Sequence, residues 1–276
     1  MNKPITGSAS GVPFVALAPE LALEQKDTTA PMVVAWHLHD PPRSETAMAA
    51  ALPLQGVPAW RVYLGLPLSG SRLPAGGLDA FFQLSYDDAV LNVFGPVCRQ
   101  AVEELPAALA ALRDDLPVSD APLGLLGGSI GALVAQTVLA ETTVAVSAVA
   151  LVSPAIRLAA VVAANEKRFD TTYRWTEASR AVADSLDFIA RADEIAKRDA
   201  AVLLVVGEDD DLNIRRPAEQ LWHTLSARSP DRAALISIPG MAHALANEPG
   251  LDPAPQTSHA ARVDAAVTDW FRRHLT

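Results

Sequence analysis

Six stretches of the chain, residues 32–38, 59–66, 122–127, 145–153, 201–207 and 233–239, are almost uninterrupted runs of aliphatic and other apolar residues. They do not alternate polar with apolar. Strands buried on both faces look like this, and such strands belong to parallel sheets covered by helices. Helical patterns fill the gaps. One begins with Ser44, and one over 96–116 carries Pro106 as an expected kink. Another covers 130–141, one near 216–228 has Pro217 at its expected start, and the last begins at Ser258, an expected N-cap. Strand and helix in alternation predict an α/β fold with a mostly parallel, doubly wound sheet. Residues 12–19 are expected to add an edge strand.

Two stretches break the alternation. Residues 67–95 are glycine-rich at first and read as loop. Residues 154–199 carry helical patterns with Phe169, Tyr173 and Trp175, and are too long for a simple connection between two core strands. They read as a small helical cap inserted before the strand at 201–207, within one domain spanning 1–276. Phe81, Phe82, Phe169, Tyr173 and Trp175 are candidate pocket aromatics.

Charge and cysteine content narrow the function. The net charge of −10 argues against nucleic acid or an anionic membrane as a partner, because both require clustered Lys and Arg. Cys98 is the single cysteine, which excludes an intrachain disulfide and a cysteine-based zinc site. It reads as a small buried hydrophobe. The opening residues show no apolar signal core, and no apolar run is long enough to span a bilayer. A soluble, cytoplasmic protein is expected.

The run at 122–127 leads into Gly127-Gly128-Ser129-Ile130-Gly131, and a helical pattern follows at once. A serine on a sharp strand-to-helix turn needs small residues two positions to either side, and Gly127 and Gly131 meet that need. The hydroxyl would stand above the sheet at a helix N-terminus, where the dipole favours developing negative charge. Taken alone, the same serine reads as an N-cap in a glycine-rich turn.

Two further pieces follow in order. The run at 201–207 enters an acidic loop, with Asp210 three residues past Gly207 and Asp209 and Asp211 on either side. The last run ends in a loop carrying His243. With these three pieces the chain resembles the α/β-hydrolase fold serine hydrolases over about residues 30–276. It resembles their carboxylesterase, dienelactone-hydrolase and prolyl-oligopeptidase-like branches more than the HGGG lipases. The resemblance implies that Ser129 attacks an acyl carbonyl, that His243 carries its proton, and that Asp210 orients the imidazole. It also implies that the Ile130 N–H supplies one oxyanion donor.

One position departs from the pattern. Many members carry His-Gly after the first core strand, whereas this chain has His37 followed by Leu38. The second oxyanion donor would then be the backbone N–H of Leu38 or of His39. His37 and His39 also resemble the paired ligands of some metal-dependent hydrolases, but Pro41 and Pro42 replace the rest of that pattern. No metal or cofactor is expected. His37 reads as packed near the pocket floor, and His223, His259 and His274 as structural or surface residues.

The leading expectation is a serine esterase acting on small to medium carboxylic esters through an acyl-enzyme. A peptidase or acyl-thioesterase on the same triad is the alternative within enzymes. A non-catalytic ligand-binding α/β-hydrolase is the alternative outside them. The expected partner is a small-molecule ester, and a homo-oligomer stays open.

Overall fold

The computed structural model describes residues 3–19 and 29–275. The single domain expected over 1–276 therefore includes residues 1–2, 20–28 and 276, which lie outside the described residues.

The chain begins with a hairpin of β1 (Ile5–Ala9) and β2 (Val12–Leu17), then enters β3 (Met32–Trp36), α1 (Glu45–Ala51) and β4 (Trp60–Leu64). Helices α2 (Gly77–Ala89) and α3 (Gly95–Asp115) precede β5 (Leu123–Gly128), α4 (Ile130–Glu141) and β6 (Val146–Val152). Next come α5 (Leu158–Phe169), α6 (Glu177–Ser185) and α7 (Ala192–Ala196). The chain closes with β7 (Ala201–Gly207), α8 (Leu212–Arg228), β8 (Ala233–Ile238) and α9 (Ser258–His274). The strands form one eight-stranded sheet in the order β1-β2-β4-β3-β5-β6-β7-β8. Only the β1–β2 and β2–β4 pairs are antiparallel.

The apolar runs do what two-sided burial requires. Every residue of β3, β4, β5 and β7 is buried. Successive residues feed opposite cores: Val34 and Leu125 pack with Leu133 and Leu221 on one face, while Val33 and Leu126 pack with Met48 and Phe271 on the other. Helices therefore cover both faces. No helix among the described residues is long and apolar enough to cross a membrane.

Several expectations are corrected. The edge strand is β1, not β2, which lies between β1 and β4. β1 is mostly exposed and polar, so it lacks the apolar run that marked the others. Its signal is the turn: Ser10 and Gly11 both adopt positive φ, 51° and 88°, the tight hairpin geometry that matches strand twist.

The stretch 67–95 is not loop throughout. It contains α2, which buries no residue fully and so has no strong apolar stripe to read. A wide turn over Val90–Phe94 then carries the chain into α3. α3 runs unbroken through Pro106, which is exposed on the side where water can replace the lost hydrogen bond. α8 starts five residues before Pro217, at Leu212, because Asp211 caps it by accepting from the Asn213 N–H. α9 is capped by Thr257 rather than Ser258, whereas Ser44 does cap α1.

The stretch 154–199 holds α5, α6 and α7. α5 packs on α8, α6 on the Val90–Phe94 turn, and α7 on α4 and α8. Two ion pairs tie the last turn of α5 to loops at the C-terminal ends of strands: Lys167 to Asp211 after β7, and Arg168 to Asp40 after β3, each at 2.8 Å.

Candidate active site

Ser129 joins the last residue of β5 to the first of α4 in a conformation few L-residues adopt, with φ 47° and ψ −111°. Such a backbone persists only when its surroundings over-determine it. Here the Ser129 N–H donates to the Val152 carbonyl at 3.0 Å, and its own carbonyl accepts from Ala132 at 2.9 Å. The flanking glycines leave no space for a side chain. A Cβ on Gly127 would stand 2.3 Å from the Gly131 carbonyl oxygen, and one on Gly131 would stand 2.5 Å from that of Trp36. Gly128 is closed by a different neighbour, since a Cβ there would lie 2.3 Å from Cδ1 of the fully buried Leu38.

The loops after β7 and β8 interlock. Gly207 lets the Met241 carbonyl approach to within 2.1 Å of where a Cβ would sit, and that same carbonyl accepts from the Asp209 N–H at 2.9 Å. The Glu208 N–H donates to the Ile238 carbonyl at 3.1 Å. This lacing sets the register of both loops and carries Asp210 to His243. Asp210 Oδ2 accepts from His243 Nδ1 at 2.8 Å, and Asp210 Oδ1 accepts from the Asp211 N–H at 2.7 Å. With Nδ1 protonated toward the carboxylate, Nε2 is the acceptor that faces Ser129 Oγ at 2.9 Å.

Ser129, His243 and Asp210 thus stand in one hydrogen-bonded row. Asp209 is exposed, and Asp211 is occupied as the α8 cap and the partner of Lys167. Burial alone would lower the His243 pKa. The hydrogen bond and charge of Asp210, with the charge of Asp40, outweigh burial and an opposing Arg168, and hold it above the usual histidine value.

Around the serine, the Ile130 N–H makes no hydrogen bond among the described residues. The Leu38 N–H is taken: it donates to the Pro42 carbonyl at 3.2 Å. The His39 N–H has no partner among the described residues, while its carbonyl accepts from Arg43 Nε at 2.8 Å.

The two loop histidines differ, because the buried Nε2 of His39 has no hydrogen-bond partner among the described residues. His37 donates from Nδ1 to the Leu38 carbonyl at 2.6 Å and accepts the Leu66 N–H on Nε2 at 3.2 Å, so both nitrogens are used. Burial pushes its pKa down to about 4. The His39 ring meets Phe81 edge-on, with centroids 5.1 Å apart, and lies 6.0 Å from Phe94. Burial and the neighbouring His37 push its pKa down to about 3. No group of three His, Cys, Asp or Glu among the described residues is placed to hold a metal.

The expected aromatics scatter. Phe81 meets His39, Tyr173 stacks edge-on with Trp175, and Phe82 and Phe169 are exposed. Cys98 is buried, with a thiol pKa pushed up by burial. His223 lies on α8, and His259 and His274 on α9.

Two residues near the row have no local sequence signal. Asp40 Oδ2 stands 3.9 Å from His243 Nε2. Its partner Arg168 is 128 positions further along the chain.

A family model described as the prolyl oligopeptidase family matches residues 98–276. No curated protein matches the chain in sequence. Among solved structures it is similar to a Thermus thermophilus protein at 17% identity and a TM-score of 0.62, with 98% of each chain covered. It is similar to carboxyl esterase 2 of the mycorrhizal fungus Tuber melanosporum at 20% identity and a TM-score of 0.60, covering 99% of this chain and 87% of that one. It is also similar to a puromycin-hydrolyzing peptidase of Mycobacterium tuberculosis at 17% identity and a TM-score of 0.66, covering 99% of this chain and 39% of that one.

Proposed function

The chain belongs to the prolyl oligopeptidase family and is a serine hydrolase with the α/β-hydrolase fold, and from that premise we propose that it hydrolyses small to medium carboxylic esters through an acyl-enzyme. The observation that carries this reading is the continuous row from Ser129 Oγ through His243 to Asp210. Ser129 Oγ attacks the carbonyl carbon as its proton passes to His243 Nε2. The tetrahedral intermediate collapses, the acyl–oxygen bond breaks, and Nε2 returns the proton to the departing alcohol. Water then enters by the same path and releases the acid. Asp210 keeps Nδ1 protonated and stabilises the transient imidazolium.

The developing oxyanion is held by the N–H groups of Ile130 and His39. The choice of His39 over Leu38 follows from the Leu38 N–H being committed to Pro42. Each such donor contributes about 3–4 kcal/mol to the transition state. The helices of 154–199, tied down at Lys167 and Arg168, act as the cap over this site.

The choice of an ester follows the likeness to a carboxyl esterase, although a puromycin-hydrolyzing peptidase is also among the similar structures. The test compares p-nitrophenyl acetate, butyrate and octanoate with aminoacyl p-nitroanilides and an acyl thioester. Turnover of the acetate or butyrate ester with the highest kcat/KM is expected. An anilide or thioester turned over faster would move the assignment to peptidase or thioesterase. Binding without turnover of any would make the protein a ligand-binding module.

The His243 environment sets the pH dependence. The base acts only when neutral, and its pKa is raised, so activity is lost as pH falls through a value above the ordinary 6.5. The acidic limb of kcat/KM against pH should therefore have its midpoint above 6.5. A midpoint clearly below that value would mean that Asp210 and Asp40 do not outweigh burial and Arg168.

A further inference from the structure

Asp40 is not part of the row, yet it faces the atom that transfers the proton. Its Oδ2 lies 3.9 Å from His243 Nε2, and its Oδ1 accepts from Arg168 Nη1 at 2.8 Å. The two partners differ in freedom: the Asp40 side chain is 22% exposed and that of Arg168 is 53% exposed. Arg43, the other nearby cation, is committed elsewhere, to Glu248, the Pro249 carbonyl and the His39 carbonyl. The resident counter-ion of Asp40 is thus an arginine on the exposed end of α5, where its guanidinium also lies over the Phe169 ring at 5.2 Å. An exposed pair of this kind contributes little, so one cation can exchange for another at small cost.

The position of Asp40 decides which part of a substrate it meets. Nε2 must hand its proton to the leaving oxygen, which therefore sits within about 3 Å of it. The carbons attached to that oxygen then lie close to Asp40. Resting on the triad reading above, we propose that Asp40 is a specificity-determining residue that selects esters whose leaving alcohol carries a cationic group, an amino-alcohol ester. The substrate's ammonium group takes the place of Arg168 as the partner of Asp40. Ser129 Oγ forms the new bond to the acyl carbon, the bond from that carbon to the alcohol oxygen breaks, and the amino alcohol leaves with the proton from Nε2. An anionic leaving group would face Asp40 unscreened. The chain's net charge of −10 steers cations toward it in the same sense.

Acetylcholine and 3,3-dimethylbutyl acetate test this directly, because they match in shape and differ by one charge. The readout is the ratio of their kcat/KM values within each protein, so a general loss of activity cancels. The natural chain should favour acetylcholine about tenfold, the order expected of one partly screened charge pair. Asp40→Asn should bring the ratio toward one. Arg168→Gln, an exposed change, should raise it several-fold by freeing the carboxylate. A ratio near one in the natural chain, or a ratio that neither variant moves by more than about twofold, overturns the proposal. If Asp40→Asn does not fold, Arg168→Gln decides alone, and a ratio that fails to rise overturns it. No turnover of either ester while p-nitrophenyl butyrate is still hydrolysed overturns the proposal alone, whereas no turnover of p-nitrophenyl butyrate either overturns the ester reading and the proposal with it.

Discussion

Ser129→Ala should lower kcat toward p-nitrophenyl butyrate by about 10⁶ while leaving the protein folded, because triad members act as a unit and removal of the nucleophile alone forfeits nearly the whole effect. The hydroxyl makes one side-chain contact, to His243 Nε2. The turn itself is held by main-chain bonds from Val152 and Ala132, which alanine keeps. Alanine also fits the φ of 47° no worse than serine, so the thermal midpoint should barely move. A loss of activity accompanied by unfolding would be uninformative about chemistry, so circular dichroism belongs in the same experiment. A fluorophosphonate label recovered on another serine would end the assignment.

Asp210→Asn should cost about 10⁴ in kcat, since asparagine keeps the shape but offers the wrong partner to Nδ1 and no charge to the imidazolium. The neighbouring aspartates are the internal controls. Asp209 is exposed and Asp211 caps α8, a duty that asparagine performs equally well. Each should retain activity within a few-fold as the Asn variant. A deep loss at Asp211→Asn with Asp210→Asn active would contradict the row seen between Asp210 Oδ2 and Nδ1 at 2.8 Å.

What could be read from the chain follows how local each cause is. Strands β3 to β7 announce themselves because two-sided burial leaves them almost wholly apolar, with Arg61 in β4 and Ser147 in β6 the exceptions. The turn at Ser129 is legible because Gly127 and Gly131 answer a contact made within the same motif. β1 carries no apolar run because its residues mostly face water, and α2 carries no apolar stripe because it buries none of its residues fully. The start of α8 is obscured in the sequence because Pro217 resembles a first-turn proline, whereas the cap is Asp211. In the site, the choice between Leu38 and His39 needed a carbonyl from Pro42, whose direction no propensity encodes. Asp40 needed Arg168, brought from the far side of the sequence by packing of α5. The register that selects Asp210 over its neighbours is likewise long-range, set by Met241 against Gly207.

The contact between Leu38 and Gly128 bears on how this chain can change over generations. One side chain fills a space that two positions could claim, with Cδ1 standing 2.3 Å from the place of the absent Cβ. A mutation that adds a carbon at 128 is blocked while leucine is present. One that trims 38 to glycine opens a void beside the Ser129 turn, a core truncation that typically costs a few kcal/mol. Either single step should therefore destabilise, whereas glycine at 38 with a larger residue at 128 would return side-chain volume to the same space, so the two changes should not be additive. Positions 38 and 128 are therefore expected to change together rather than singly, which couples the loop after β3 to the serine turn.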